Sequence, residues 1–214
     1  MASALRQLAL RTLRGVLPRR VFRTSERRAS VATLFLTFDD GPDPETTPNI
    51  LDTLARHEAK ATFFVVGRQA AQHPEIVRRI VREGHTIGGH SFFHRHPTET
   101  SSEQLWQEIL QTDETLREIV GQAPKLFRPP HGKLTARKLW RLSTSGRSIV
   151  LWNRDPKDFA ATRREEIMDW FARNACQDGD IVLLHDTSRP TAEALEVLLD
   201  RFRRAGLSLR GLAG

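Results

Sequence analysis

The chain has 214 residues, 39% hydrophobic and 28% charged, with 13 Gly, 11 Pro and one cysteine. That is enough for one sizeable core and too little Gly and Pro for a disordered or fibrous chain, and the lone Cys176 excludes an internal disulfide. The net charge of +7 is local: residues 1–30 carry eight arginines and one acid, Glu26, while residues 31–214 hold 25 basic and 25 acidic residues.

In chain order, residues 1–30 come first, as a basic amphipathic segment. Leu5, Leu8, Ala9, Leu13, Val16 and Leu17 recur at helical spacing with arginines between them. The longest apolar run there, Leu8 to Leu10, is too short for a signal-peptide core or a membrane span. Three readings stay open: a helix on an anionic membrane surface, a helix packed on the domain, and an organelle transit peptide. No basic and aromatic interleaving follows, so nucleic acid is not expected as a partner. Without an export signal, the expected location is cytoplasmic, at a membrane surface if residues 1–30 take the first of those readings.

From residue 31, short apolar runs alternate with amphipathic stretches. Strands are predicted over 32–38, 61–66, 85–88, 125–128, 148–152, 181–185 and 207–210. Helices are predicted over 46–58, 69–83, 101–120, 133–145, 163–176 and 190–205. In 69–83, Ile76, Val77, Ile80 and Val81 form one apolar face opposite Arg78, Arg79 and Arg82. Ser101 or Ser102 stands at the N-cap of the next helix. Strands interleaved with helices point to α/β architecture with a parallel sheet or barrel and one domain over 31–214.

In parallel α/β folds, chemistry collects at the C-terminal ends of the strands. The residues there are Asp39-Asp40 after the first strand, and His90 and His94 after the third. Arg128 with Pro129, Pro130, His131 and Gly132 follows the fourth, Asp155 and Asp158 the fifth, and His185-Asp186 closes the sixth. Two adjacent carboxylates after a buried run require a positive partner. His90 and His94, spaced i, i+4, would present both rings the same way on a helical turn, with Gly88-Gly89 letting the backbone turn nearby. Two imidazoles and one carboxylate suit a hydrolytic Zn²⁺ or similar divalent ion with positions left open, and His96 is the rival ligand. His57, His73 and His85 match no motif, and Cys176 is expected on a helix as a small apolar residue.

The segments "TFDDGP" (37–42), "HSFFH" (90–94), "RPPHG" (128–132), "DPKDF" (155–159) and "IVLLH" (181–185) stand in the order of the five motifs of polysaccharide deacetylases. Residues 31–214 thereby resemble the NodB-homology domains of carbohydrate esterase family four. The resemblance implies a distorted (β/α) barrel of about seven parallel strands. It implies metal-dependent hydrolysis of the acetamide of N-acetylated sugars, releasing acetate, with chitooligosaccharide, peptidoglycan or a lipid-linked glycan as substrate. Asp39 would be the general base, held by Arg128, and Asp40, His90 and His94 the ligands of one divalent ion: Zn²⁺ first, Co²⁺, Ni²⁺ or Fe²⁺ also fitting. His185 would be the general acid, oriented by Asp158, the better motif match than Asp155. The His131 amide would face the oxyanion, with Pro130, Gly132, Trp152 and Phe159 around the substrate. His131 stands where the family commonly has Tyr and Phe159 where it commonly has Trp, which bears on substrate more than on reaction. Two other readings remain: a same-site amidohydrolase or deformylase acting on a small amide, and a non-catalytic glycan- or membrane-binding module.

Overall fold

A computed structural model describes residues 31–96 and 98–213. The basic amphipathic segment 1–30 lies outside the described residues. Seven strands form one parallel sheet: β1 (Thr33–Asp39), β2 (Thr62–Val65), β3 (Thr86–Gly89), β4 (Leu126–Phe127), β5 (Ser148–Ile149), β6 (Ile181–His185) and β7 (Ser208–Leu209). The spatial order is β5-β4-β3-β2-β1-β6, with β7 on the N-terminal half of β1. The sheet curls until Arg154, just beyond β5, bridges to Val182 of β6 in parallel register. The expected distorted barrel is what forms.

The helices are α1 (Thr46–Arg56), α2 (Gly67–Gln72), α3 (Pro74–Arg82), α4 (Ser102–Val120), α5 (Ala136–Ser143), α6 (Arg164–Arg173) and α7 (Arg189–Arg204). The helix predicted over 69–83 is two helices, because Pro74 drives His73 out of the helical region to φ −129°, ψ 57°. Ser101, rather than Ser102, caps α4: it accepts from the Gln104 amide, and the Gln104 side chain accepts from the Ser101 amide. The helix expected over 133–145 starts three residues later, behind a 3₁₀ turn at Pro130–Gly132. Helix α6 stops at Arg173, so Cys176 lies in the loop beyond it, half-buried against the core.

Strand β1 is buried along its whole length, so both of its faces carry a core. Its even residues Leu34, Leu36 and Phe38 pack outward with helix residues such as Ile50, Leu54, Leu195 and Leu198. Phe35, on the other face, joins Phe64, Leu126, Val150, Ile181 and Leu212 inside the barrel. Period-2 alternation then aims Thr37 and Asp39 along the same inner face, toward the barrel mouth. Among the described residues, no helix is long and apolar enough to cross a membrane.

Candidate active site and metal centre

The inner face of β1 ends on Asp39, 3% exposed, against Arg128, which is completely buried. Arg128 Nη1 donates to Asp39 Oδ1 at 2.6 Å and to Thr37 Oγ1 at 2.7 Å, and its Nε donates to the Val150 carbonyl at 3.3 Å. The guanidinium lies over the Phe64 ring at 4.1 Å, with Trp152 at 5.4 Å beyond it. Burial lowers the Arg128 pKa from its ordinary value, and the Asp39 charge opposes that shift. This is the positive partner that the paired carboxylates require. Gly88 makes room for it: a Cβ there would lie 2.5 Å from the Phe64 ring that carries the guanidinium. Gly88 therefore serves this packing, and both Gly88 and Gly89 lie inside β3, not in a turn.

Asp40 turns away from Asp39 because its backbone is left-handed, φ 78°. Its Oδ1 lies 3.4 Å from His90 Nε2 and 3.2 Å from His94 Nε2. That oxygen is buried and has no hydrogen-bond partner among the described residues. His90 Nδ1 faces the Arg128 carbonyl at 2.7 Å, which fixes the tautomer and leaves the Nε2 lone pair toward Asp40. Burial and His90 push His94 down to about 4, so its imidazole is neutral, the form that ligates. Burial opposes the Asp40 charge, but His90, His94 and His185 hold its carboxyl below the usual carboxylate range. The donor set Asp40, His90 and His94, all ligand atoms within 4.8 Å of one another, fits a divalent cation. His96 is not in that set; its Nδ1 is 2.7 Å from Thr98 Oγ1.

Residues 90–94 are not helical, contrary to the spacing argument. Ser91 (φ 61°) and His94 (φ 54°) are left-handed, and those two reversals bring the rings together with centroids 4.8 Å apart. The loop is pinned from below. The His94 amide donates to Ser91 Oγ, the Phe93 amide donates to Glu108 Oε2 of α4, and the Gly67 and Arg68 amides donate to the Ser91 and Phe92 carbonyls. Lys138 of α5, 3% exposed, donates to the Thr100 carbonyl and hydroxyl and so ties α5 to the segment that leads into α4.

His185 closes the opposite wall, its Nε2 3.9 Å from Asp40 Oδ2. Asp158 holds it with both oxygens: Oδ1 to Nδ1 at 2.8 Å, and Oδ2 to the backbone N–H at 2.7 Å. Thr191 donates to the same Oδ2 at 2.6 Å. Burial works against the imidazolium, but Asp158, with Asp39 and Asp40, raises His185 to about 9. Asp155 is elsewhere, accepting from Trp152 Nε1 and pairing with Lys157. Phe159, 63% exposed, meets the His185 ring edge-on at 5.6 Å. His131, left-handed at φ 56° and exposed, lies with its ring 4.8 Å from His94 and 4.9 Å from His96. Pro130 is buried beneath it and Gly132 half-buried. Sequence reasoning missed Thr37, Glu108 and Thr191, whose hydroxyl or carboxyl contacts carry no motif.

The family model described as polysaccharide deacetylase matches residues 26–150. This chain belongs to that family. A peptidoglycan-N-acetylglucosamine deacetylase of Bacillus cereus is 35% identical over 179 residues, 82% of this chain and 65% of its own. The chain therefore spans just under two thirds of that relative's length. A chitooligosaccharide deacetylase of a Bradyrhizobium species is 35% identical over 84% of this chain and 89% of its own. Among solved structures, a peptidoglycan N-acetylglucosamine deacetylase bound to an N-hydroxybenzamide superposes with a TM-score of 0.84 at 32% identity, over 91% of this polysaccharide deacetylase chain and 92% of that one.

Proposed function

We propose that the chain is a metal-dependent hydrolase that removes acetyl groups from N-acetylated glycans, of the peptidoglycan or chitooligosaccharide class. The observation that carries this reading is the orphaned Oδ1 of Asp40 between two Nε2 atoms, with Asp39 beside it but tied to Arg128. Asp40 Oδ1 faces both imidazoles, while Asp39, held by Arg128 through Oδ1, keeps its free Oδ2 at the edge of the same site, 3.6 Å from His90 Nε2, where a base for the attacking water is needed. Relatives named for the same reaction on peptidoglycan and chitooligosaccharide support it.

A divalent cation, Zn²⁺ by the chemistry of the donors, would polarise the acetamide carbonyl and acidify water there. The remaining steps belong to the chain. Asp39 Oδ2 accepts the proton of the attacking water, while Arg128 on Oδ1 holds the carboxylate in place. The His131 amide donates to the oxyanion of the tetrahedral intermediate. His185, charged and oriented by Asp158, passes its Nε2 proton to the departing amine, a poor leaving group until protonated. A sugar would lie over Phe159, with half-buried Trp152 behind it against the barrel core, and the exposure of Phe159 and His131 suits an open groove rather than a closed pocket for a small amide.

The test is acetate release from N-acetylated glucosamine oligomers and peptidoglycan, with and without chelator, for the natural chain and Asp39→Asn. Chelator is expected to abolish release and Zn²⁺ to restore it. Asp39→Asn is expected to lose on the order of 10²- to 10⁴-fold in kcat. Chelator-insensitive release, or full activity of Asp39→Asn, overturns the reading.

A further inference from the structure

Asp186 follows His185 at the end of β6, yet its side chain takes no part in the steps assigned above. It is 1% exposed and makes no ion pair among the described residues, and its Oδ1 has no hydrogen-bond partner among them. Such a carboxylate is costly to bury, and an apolar residue of similar size would fill the space more cheaply. Its contacts account for it. Oδ2 accepts from Thr47 Oγ1 at 2.7 Å, and the Asp186 carbonyl accepts from Thr46 Oγ1, both hydroxyls belonging to the first turn of α1. The Asp186 N–H donates to the Asp39 carbonyl at 3.2 Å. The carboxylate also occupies the space where Gly41 has no side chain: a Cβ there would come within 2.0 Å of Oδ2 and 2.3 Å of Oδ1.

Asp186 thus touches the residue before Asp40 and the residue after it. Between those two contacts Asp40 is held left-handed, a conformation that is unfavourable for a non-glycine residue and persists only where its surroundings impose it. We propose that Asp186 is the positioning residue for the metal ligand Asp40, locking the Asp39–Gly41 backbone against α1 so that Oδ1 stays aimed between the two imidazoles. The inference rests on the metal-site reading above and adds to it a residue that ligates nothing.

The experiment is titration of Zn²⁺ into chelator-stripped protein, read with a competing fluorescent chelator, for the natural chain, Asp186→Asn and Asp186→Ala. The Kd for Zn²⁺ is expected to rise about 10- to 100-fold in both variants, as for other residues that orient a ligand. Acetate release at saturating Zn²⁺ should then return close to that of the natural chain, since the base and the acid are untouched. Asp186→Asn preserves the side-chain shape and carries the test if Asp186→Ala does not fold. A double-mutant cycle adds a second readout. Gly41→Ala is expected to weaken Zn²⁺ binding strongly alone and much less in the Asp186→Ala background, where the obstructing oxygens are gone. A Kd within about twofold of the natural chain's in both Asp186 variants, or an activity loss that saturating Zn²⁺ does not restore, overturns the proposal. Zn²⁺ binding that Asp40→Asn leaves unchanged removes the metal-site reading itself.

Discussion

Asp158 spends both of its oxygens on one residue, the Nδ1 and the backbone N–H of His185. The consequence is electrostatic. The folded pKa of His185 lies near 9, above the ordinary 6.5, so its favourable charge is fully present below pH 6.5 and is lost as pH rises through about 9. A general acid must hold its proton, so kcat/KM falls on the alkaline side as that proton leaves. Asp158→Asn removes the largest favourable partner, and the alkaline limb is expected to move down by about one pH unit or more, with both enzymes metal-loaded so that the cation acts equally on each. A pH profile of kcat/KM checks this; an unmoved limb would assign the orienting role elsewhere. At this scale the groups named by motif, Asp39, Asp40, His90, His94, Arg128, Asp158 and His185, meet in one place. Their supports were not legible. Thr47 and Asp186 are 139 residues apart in the chain, and threonines and aspartates are too common for such a pair to stand out before the fold joins them.

The element that departs most from its sequence reading is the 90–94 loop. A His-x₃-His spacing reads as one helical face, and the rings do converge, but through left-handed Ser91 and His94. Five of the six non-glycine residues with positive φ among those described are Asp40, Ser91, His94, His131 and Lys157, all in or beside the segments that carry the site. Strain concentrated in this way is held by packing from neighbouring elements. Periodicity could not reveal it, because it reports which face is apolar and not which residue is reversed. At the other end of β3, His85 is buried, and its Nδ1 accepts from the Ala61 N–H at 3.2 Å, joining that strand to β2. Burial pushes its pKa down to about 4. The unfolded chain therefore takes up this proton first, and stability is lost as pH falls from 6.5 toward 4. The size is on the order of 3 kcal/mol. His85→Gln, which keeps an acceptor for Ala61, is expected to flatten that loss. Urea midpoints at pH 7 and pH 4.5 measure it, and an equal drop in both proteins would show that His85 is not the cause.

For the whole molecule, β1 is the axis. It pairs with β2, β6 and β7, buries a core on each side, and delivers Asp39 and Asp40 to the mouth. The site draws on five strand ends, so a cation bound there ties together segments from Asp40 to His94, and only the folded state offers all three ligands. Zn²⁺ at 100 times its Kd is expected to stabilise the chain by about 2.7 kcal/mol, seen as a rise in Tm that chelator reverses and Asp40→Asn abolishes. A Tm indifferent to Zn²⁺ would mean that the three side chains do not act as one site. The alternation of apolar runs with amphipathic helices, and the ionisable residues at the run ends, determined the parallel α/β class, the end of the barrel that carries chemistry and the residue types that do it. Those are local properties, written in spacing and composition. The motif resemblance already sets Asp40 apart from Asp39 and Asp158 apart from Asp155. That Arg128 is buried against Asp39, that Thr191 shares Asp158 with His185, and that Asp186 lies against Gly41 and Thr47 were decided only by tertiary structure. Each depends on distances of a few ångströms between residues far apart in the chain, and no period along the sequence encodes such a distance.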